Sequence, residues 1–434
     1  MSRKGERMTD ADRPERRISP RSMTVAAFST VIEWYDFTLY LYLATVLSRV
    51  FFGAGSTSLV TTLAGFAVSY ALRPLGAIVF GHIGDRHGRR FAMLLSMAVM
   101  TAAMLITALL PTRAQIGPAA GWMLLLLRGV MAFSVGGEYT GVVAYMMEGA
   151  PRRRRALITS LASAASEVGG LLAVGAAAVP VGMMSGANLD AWGWRIPFLL
   201  GAALAGSILF ARTSMEESPA FAHQQATGAV PPNPLRHILA HHRIAILRGF
   251  AISALGSITY YVGIVYVPVF LTTVGAFDEG RSLWLATLAA LIVIGITPVT
   301  GWCADRLGRK PVLLSLGGLG VVLPIAMFHL MSGGWQGGTL VGAAVLASLG
   351  GAVSAVGAVA TAEQFPSRGR LTGLALGATT ATAVFGGLTP MIAQLLVQHT
   401  GWPTAPGAMI AIVALCVLPV FLLMPETRGG PGGV

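Results

Sequence analysis

Six charged residues interrupt the long apolar stretches of this sequence, where ionised groups are costly and mark candidate chemistry. They are Glu33, Asp36, Arg73, Arg128, Glu138 and Glu167. A carboxylate can take up and release a proton, and the planar guanidinium of an arginine can bind another carboxylate through two hydrogen bonds. Four carboxylates facing two arginines cannot all be compensated in their ionised form. Because desolvation and nearby like charges favour the neutral carboxyl group, at least one should bind a proton near neutral pH.

The spacing of these charges suggests how the roles divide. Proton exchange is predicted at Glu138 or Glu33, with Asp36 next, since Asp36 follows Glu33 by three residues on nearly the same helix face. Arg73 and Arg128 are expected to compensate charge, and either could bind a ligand carboxylate. Arg128 is the better candidate because its deeper position leaves it less completely matched by carboxylates. The alternative is a static ion-pair network of Glu33, Arg73 and Glu138 that only holds helices together.

The composition indicates that these charges lie on membrane-spanning helices. Of 434 residues, 54% are hydrophobic and 11% are charged, and the mean hydropathy is +0.70, which leaves too few polar residues to cover a soluble globule. Twelve segments are long enough to cross a hydrocarbon core of about 30 Å. They are 23–47, 58–82, 91–110, 121–147, 156–181, 195–212, 247–274, 281–301, 311–331, 337–361, 371–398 and 403–424.

The distribution of basic residues predicts the topology and excludes a nucleic-acid-binding role. The 30 Lys and Arg residues are concentrated in the N-terminal tail and in alternate loops, so the positive-inside rule places both termini in the cytoplasm. Two six-helix halves are expected, joined by a linker. The predicted divisions are an N-terminal tail at 1–21, a first half at 22–212, a linker at 213–246, a second half at 247–425 and a C-terminal tail at 426–434.

Neither a metal site nor a cofactor is predicted, apart from the proton as coupling ion. Cys303 and Cys416 are too few and too far apart in sequence for a disulfide framework or a metal site. A stretch with His237, His241 and His242 makes a metal site in the linker conceivable, but a solvated linker is the preferred interpretation.

An internal repeat supports the two halves. Residues 81–90, which read Gly-His-Ile-Gly-Asp-Arg-His-Gly-Arg-Arg, recur at 301–310 as Gly-Trp-Cys-Ala-Asp-Arg-Leu-Gly-Arg-Lys. Both copies follow an even-numbered predicted helix. Parallel repeats with a binding site between them allow alternating access by rocking one half against the other.

This loop motif and the two-half organisation resemble the major facilitator superfamily. Four further segments, 33–37, 72–76, 133–141 and 192–198, are together similar to the metabolite:proton symporters. That group includes carriers of citrate and tricarballylate, of 2-oxoglutarate, of shikimate, and of proline with glycine betaine. Residues 385–390 look most like the citrate and tricarballylate carriers, whereas the Gly-Glu-Tyr-Thr-Gly motif that begins at Gly137 is shared with the betaine carriers.

The resemblance implies an all-α membrane protein of the major facilitator fold that works by alternating access. The expected function is proton-coupled uptake of a small organic acid, foremost a di- or tricarboxylate such as citrate, by a multi-pass monomer in a bacterial inner membrane. One alternative is proton symport of a zwitterion such as proline or glycine betaine. Another is proton-driven efflux of a toxic compound, although the helix-five signature of drug antiporters is not evident at 160–180. No phosphate-binding loop or nucleophile arrangement indicates an enzyme.

Further residues are predicted to contact the substrate or to control its access. The candidates for substrate contact, besides the two arginines, are Tyr139, Tyr260, Tyr261 and Gln394. In the loop motifs, an aspartate can accept hydrogen bonds from a helix N-terminus while arginines pair with acidic groups, and in the superfamily such contacts hold the inner gate closed. The predicted gating residues are Asp85, Arg86, Arg89, Asp305, Arg306 and Arg309. Glu167 has the weakest functional claim, since citrate-like relatives tend to carry a neutral amide there.

Overall fold

The computed structural model describes residues 18–53, 56–230, 233–274 and 279–428, and this part of the chain is built from helices without a β-strand. Most of the predicted N-terminal tail, residues 1–17, lies outside the described residues, as does the end of the C-terminal tail at 429–434. The linker contains two short helices, Pro219–Ala226 and Pro234–His241.

Twelve long helices form the membrane-spanning bundle, and we number them α1 to α12 in chain order. The first two are α1 (Pro20–Tyr42) and α2 (Ser56–His87). Within the described residues, ten helices are long and apolar enough to cross a membrane, and they follow α2 in the chain. These, from α3 to α12, are Arg89–Leu109, Ala119–Gly149, Arg152–Met183, Gly186–Arg212, Arg243–Thr273, Trp284–Leu307, Arg309–Ser332, Gln336–Ala362, Arg370–Thr400 and Ala405–Leu423. The all-helical fold with twelve spans is therefore confirmed.

The helices pack as two similar groups. One hydrophobic cluster lies within residues 32–205 and another within 258–410, while a third cluster draws residues from both parts of the chain. Across the boundary, α2 packs against α11 and α5 packs against α8. The two contacts are equivalent, because α2 corresponds to α8 and α5 to α11 when the halves are exchanged. Duplication predicts this equivalence. The residue boundaries predicted for the two halves stay a prediction.

Apart from the end of α1 at Leu43 and the π-helical start of α6, three spans are interrupted, although unbroken helices were predicted from the sequence. A turn at Gly136 and Gly137 divides α4, a π-helical turn at Tyr261–Val265 widens α7, and α11 contains a π-helical turn at Ala375–Thr379 and a break at 386–388. Hydropathy does not report such local changes, because the residues stay apolar. Short π-helical stretches inside α-helices are frequent at functional sites, and these interruptions lie beside the central cavity.

Close backbone contact fixes α4 against α2. A Cβ atom at Gly136 would lie 2.1 Å from the carbonyl oxygen of Arg73, and one at Gly76 would lie 1.8 Å from that of Phe133. Only glycine fits at both positions, as predicted for helices that approach without a hydrophobic driving force between them. This contact places Arg73 and the start of the second part of α4 next to each other.

Candidate functional site

A cavity of about 180 Å³ lies between the two groups of helices. Its walls come from α1, α2, α4 and α5 on one side and from α7, α8, α10 and α11 on the other. The polar and aromatic side chains of its lining are Glu33, Trp34, Tyr70, Arg73, Tyr139, Thr140, Ser163, Ser166, Glu167, Ser253, Ser257, Tyr260, Tyr261, Ser354, Thr361, Thr379 and Thr382. This volume suits a small metabolite, since pockets for drug-sized ligands begin at about 300 Å³.

Arg73 is the one basic side chain in the described lining. Its guanidinium carbon lies 4.7 Å from the ring centre of Phe37 and 4.9 Å from that of Tyr70, within the range of cation–π attraction. The nearest carboxylate contact is with Glu33, at 4.0 Å between Nη2 and Oε1, which exceeds hydrogen-bond length. Ring faces therefore orient the guanidinium, and its donors can reach a carboxylate ligand in the cavity.

Glu33 is the carboxylate of α1 that reaches the cavity. Its exposed fraction is 3%, and its Oε2 atom has no hydrogen-bond partner among the described residues. A buried carboxylate with an unsatisfied oxygen is costly when ionised and far less so when protonated. Of the three carboxylates predicted to exchange protons, Glu33 alone lines the cavity.

Glu167 lies in the cavity wall, although sequence reasoning assigned it the weakest functional claim. Its Oε1 atom accepts a hydrogen bond of 2.8 Å from the hydroxyl of Tyr260, so the contact joins α5 of the first group to α7 of the second. The ring of Tyr260 lies 5.6 Å from that of Trp34 and 5.3 Å from that of Tyr261. The expectation rested on the residue type in citrate-like relatives and not on the direction of the side chain.

The tyrosines predicted to contact substrate all line the cavity. The hydroxyl of Tyr139 is hydrogen-bonded to Ser163 at 2.9 Å, and Ser354 donates to Ser163 at 3.3 Å. The hydroxyls of Tyr70 and Tyr261 are also hydrogen-bonded. The Ser354–Ser163 and Tyr70–Tyr261 hydrogen bonds link the first group of helices to the second and would break if the halves separated there.

Glu138 does not line the cavity, although it was the first candidate for proton exchange. It forms a buried ion pair with Arg212 at the end of α6, and its Oε2 atom accepts a hydrogen bond of 2.6 Å from the hydroxyl of Ser96. Arg212 is fully buried and also donates to the carbonyl oxygen of Met93. Sequence reasoning missed Arg212, which is the last residue of a predicted span and was not counted among the charges inside the spans.

Arg128 and Gln394 are likewise turned away from the cavity lining. Arg128 pairs with Asp36 and lies 4.8 Å from the ring centre of Tyr40, so its charge is matched by a carboxylate, contrary to expectation. Gln394 accepts a hydrogen bond of 2.7 Å from Tyr266. Substrate contact by Arg128 or Gln394 and proton exchange at Asp36 therefore have no support from this arrangement.

The loop motifs close one end of the bundle, which we call the motif end, by contacts between the halves. Asp85 accepts hydrogen bonds from the backbone amides of Leu371 (3.3 Å) and Thr372 (2.8 Å) at the start of α11. The carboxylate thereby satisfies free amide groups at the positive end of the helix dipole, as the sequence predicts.

The second motif makes the equivalent contact. Asp305 accepts from the backbone amides of Ala156 (3.0 Å) and Leu157 (2.9 Å) at the start of α5. In both copies the glycine before the next helix, Gly88 or Gly308, has a φ of 110°, a conformation that favours glycine. The repeat therefore reflects the same contact made twice.

Three arginines and two glutamates complete the motif end. Arg89 pairs with Glu148 at 3.3 Å, and Arg309 with Glu363 at 3.0 Å. Glu148 also forms an ion pair of 2.7 Å with Arg370 of the second half, so it joins both halves. Arg86 and Arg306, predicted to gate, are instead exposed at the surface, and Arg306 stacks on Trp302 with a distance of 4.1 Å.

A glutamate in the loop after each half caps the helix that follows its motif. Glu217 accepts from the amide of Arg89 at 3.0 Å, and Glu426 from that of Arg309 at 2.9 Å. Burial raises the pKa of Glu217 despite these hydrogen bonds. Burial would also raise the pKa of Glu426, but backbone amides, including those of Arg428, Arg309 and Lys310, outweigh it and lower that pKa.

The sequence matches the family Sugar (and other) transporter over residues 22–228 and the Major Facilitator Superfamily over residues 276–434. It is 33% identical over 442 residues to the ectoine/proline transporter ProP of Corynebacterium glutamicum, across 95% of this chain and 86% of that protein. The chain belongs to the major facilitator superfamily. The resemblance predicted from the loop motif is thus confirmed.

Two further comparisons agree with this assignment. The alpha-ketoglutarate permease of Escherichia coli is 31% identical over 411 residues, which cover 93% of each chain. The solved structure of the proton:xylose symporter XylE bound to 6-bromo-6-deoxy-D-glucose shares the fold, with a TM-score of 0.75, 20% identity and coverage of 95% of this chain and 97% of that one. The protein described here is therefore a multi-pass membrane transporter and not an enzyme.

Neutralising Asp85 should open the motif end of this transporter. In Asp85→Asn, the contacts with the α11 amides lose their charge, and hydrogen bonds to charged groups contribute about 1.5–3 kcal/mol. The population open at the motif end should rise about tenfold or more. The measurement is the alkylation rate of Thr361→Cys, a buried cavity position near the motif end of α10, in detergent and with Cys303 and Cys416 replaced by alanine.

Asp190→Asn is the matched control. It removes a carboxylate from an exposed ion pair with Arg49 outside the motif end, and such pairs contribute about 0–1 kcal/mol. Its alkylation rate should stay at the parental value. An unchanged rate in Asp85→Asn would show that Asp85 only tethers helices and does not bias the conformational equilibrium.

Proposed function

We propose that this transporter takes up a small zwitterion, a compound with one carboxylate and one ammonium group such as proline or glycine betaine, together with protons. It would act in the inner membrane of a bacterium with both termini in the cytoplasm, as a monomer. Alternating access to the central cavity would move the substrate, with the motif end as the gate on the cytoplasmic side.

The charge composition of the cavity carries this proposal. Its described lining holds one arginine and two glutamates. A zwitterion offers a carboxylate for Arg73 and a positive group for one glutamate, while a proton neutralises the other. A di- or tricarboxylate such as citrate, the substrate favoured by the sequence, would bring further negative charge next to two carboxylates, which is unfavourable at low dielectric.

Sequence similarity supports the same substrate class and one further candidate. ProP, the relative from Corynebacterium glutamicum, is named for ectoine and proline. The permease from Escherichia coli is named for alpha-ketoglutarate, and Arg73 could bind such an acid through its guanidinium. Uptake of an organic acid is therefore the second candidate function.

Glu33 is the proposed proton-binding group. It is buried, it lines the cavity, and its ion pair with Arg73 is long. A substrate carboxylate bound to Arg73 would weaken the compensation of Glu33 and so favour its protonation. Loading of substrate and loading of the proton would then promote each other, as coupled transport requires.

The test is uptake of labelled proline, glycine betaine, 2-oxoglutarate and citrate into proteoliposomes that contain the purified protein. An inward proton gradient should drive accumulation of proline or glycine betaine, and a protonophore should abolish it. Accumulation of only 2-oxoglutarate or citrate would replace the zwitterion by an acid. Gradient-driven movement of a toxic compound without uptake of these four would support efflux.

A further inference from the structure

Glu167 presents a second, independently held carboxylate to the cavity. It is 8% exposed and lies in α5, and Tyr260 donates to its Oε1 atom at 2.8 Å. None of the ion pairs formed by described residues includes Glu167. A buried carboxylate beside a ligand cavity and without a basic partner in the described protein is placed to attract a positively charged group of the ligand.

Aromatic rings adjoin this carboxylate. The rings of Trp34 and Tyr260 are 5.6 Å apart with an interplanar angle of 69°, and the ring of Tyr261 follows at 5.3 Å from that of Tyr260. All three residues line the cavity. Ring faces attract ammonium groups, including quaternary ones that have no hydrogen to donate. A carboxylate with neighbouring ring faces therefore suits a substituted ammonium group.

The arginine of the cavity contacts two other rings, one of which, Tyr70, is hydrogen-bonded to Tyr261. Arg73 lies over Phe37 and Tyr70 and faces Glu33, whereas Glu167 is bonded to Tyr260. The cavity thus has separate positions for the two charges of a zwitterion. The hydrogen bond from Tyr260 crosses between the halves and fixes the direction of the carboxylate.

We infer that Glu167, oriented by Tyr260, binds the ammonium group of the substrate and determines the preference for zwitterions over anions. This inference rests on the proposed function and assigns one of its two cavity carboxylates. Glu33 takes the proton, while the hydrogen bond from Tyr260 and the substrate cation favour the ionised form of Glu167. An anionic substrate would meet the Glu167 carboxylate and bind more weakly.

The test compares two ligands of equal shape that differ in charge. Glycine betaine carries a trimethylammonium group, and 3,3-dimethylbutanoate carries a neutral tert-butyl group in its place. Calorimetry on the purified protein gives both dissociation constants. The ratio used below is that of 3,3-dimethylbutanoate divided by that of glycine betaine, so it falls when the preference for glycine betaine is lost. In Glu167→Gln, the affinity for glycine betaine should fall on the order of 30-fold while that for 3,3-dimethylbutanoate stays or improves, because a buried charge pair has lost one partner.

Two variants serve as controls. Glu33→Gln removes the other carboxylate of the same cavity and should leave the ratio of the two affinities close to that of the wild type. Tyr260→Phe keeps the charge of Glu167 but removes its orienting hydrogen bond, so the ratio should fall by a smaller factor, about threefold to tenfold. It also provides a measurement if Glu167→Gln does not fold.

The outcomes separate the inference from the proposed function. A wild-type ratio in both Glu167→Gln and Tyr260→Phe would overturn the ammonium site. Loss of proton-driven accumulation in Glu167→Gln, with the ratio unchanged, would assign Glu167 to the proton. If the wild type binds neither glycine betaine nor proline but does bind 2-oxoglutarate, the proposed substrate class is wrong and the ammonium site falls with it.

Discussion

Replacing Glu33 by Gln should abolish proton-driven accumulation while leaving exchange of substrate across the membrane. The amide has nearly the shape of the protonated carboxyl group, so the variant should bind substrate and change conformation. The amide cannot bind and release a proton, so the proton gradient cannot drive the transport cycle. With one proton per substrate, a gradient of one pH unit sustains about tenfold accumulation, because 1.4 kcal/mol corresponds to a factor of ten.

The measurements are accumulation and counterflow of labelled glycine betaine in proteoliposomes. The wild type should approach tenfold accumulation at one pH unit, and Glu33→Gln should reach only the external concentration while its counterflow persists. Glu33→Asp, which keeps a titratable group, is the control and should retain part of the accumulation. Wild-type accumulation in Glu33→Gln would remove Glu33 from proton coupling and return attention to Glu138.

Replacing Arg212 by Met should strongly destabilise the folded transporter. Arg212 is fully buried and pairs with Glu138, which is 1% exposed. Removing the arginine leaves a buried carboxylate without its partner, a change that costs about 3–5 kcal/mol. That is a large part of the roughly 5–15 kcal/mol that stabilises a folded protein. The loss of stability would be measured from the thermal unfolding of detergent-purified protein, monitored by size-exclusion chromatography.

A second substitution tests whether charge is the cause. In the double variant Glu138→Gln with Arg212→Met no unpaired charge remains, and Ser96 can still donate to the amide oxygen. Most of the lost stability should return. The exposed pair of Arg49 and Asp190 is the matched control, and its disruption should cost about 0–1 kcal/mol. A double variant as unstable as Arg212→Met would mean that packing of the arginine, and not its charge, is essential.

The loop motifs show what could be predicted from sequence. A repeated aspartate next to a helix end indicated contacts with helix N-termini, and Asp85 and Asp305 make them at α11 and α5. These predictions succeeded because the motif and its partner are both at helix ends. The free backbone amides at a helix N-terminus are present whichever way the helix is rotated about its axis. The twelve spans were predictable for a related reason, since lipid requires long apolar segments.

The pairing of the buried charges could not be predicted in the same way. Depth along a helix follows from counting residues, and it placed Glu33, Arg73 and Glu138 at similar levels. Which side of each helix faces the cavity depends on packing, which the sequence does not state. Glu138 therefore turned out to face Arg212, and Arg128 to face Asp36.

The position of Glu167 was also not predictable from the sequence. Sequence reasoning assigned it little weight because citrate-like relatives tend to carry an amide there, and the structure shows that it lines the cavity and bonds to Tyr260 across the halves. A charge that differs from the family pattern can mark a difference in substrate and not a loss of function. The affinities of the Glu167→Gln variant distinguish these two interpretations.

The most direct test of proton-coupled zwitterion uptake is the internal pH of proteoliposomes with a trapped pH-sensitive dye after glycine betaine or proline is added outside. With no initial pH gradient, we predict that the internal pH falls as substrate enters through the wild type and stays constant in Glu33→Gln. Entry of labelled substrate through the wild type without a change in internal pH would contradict proton coupling.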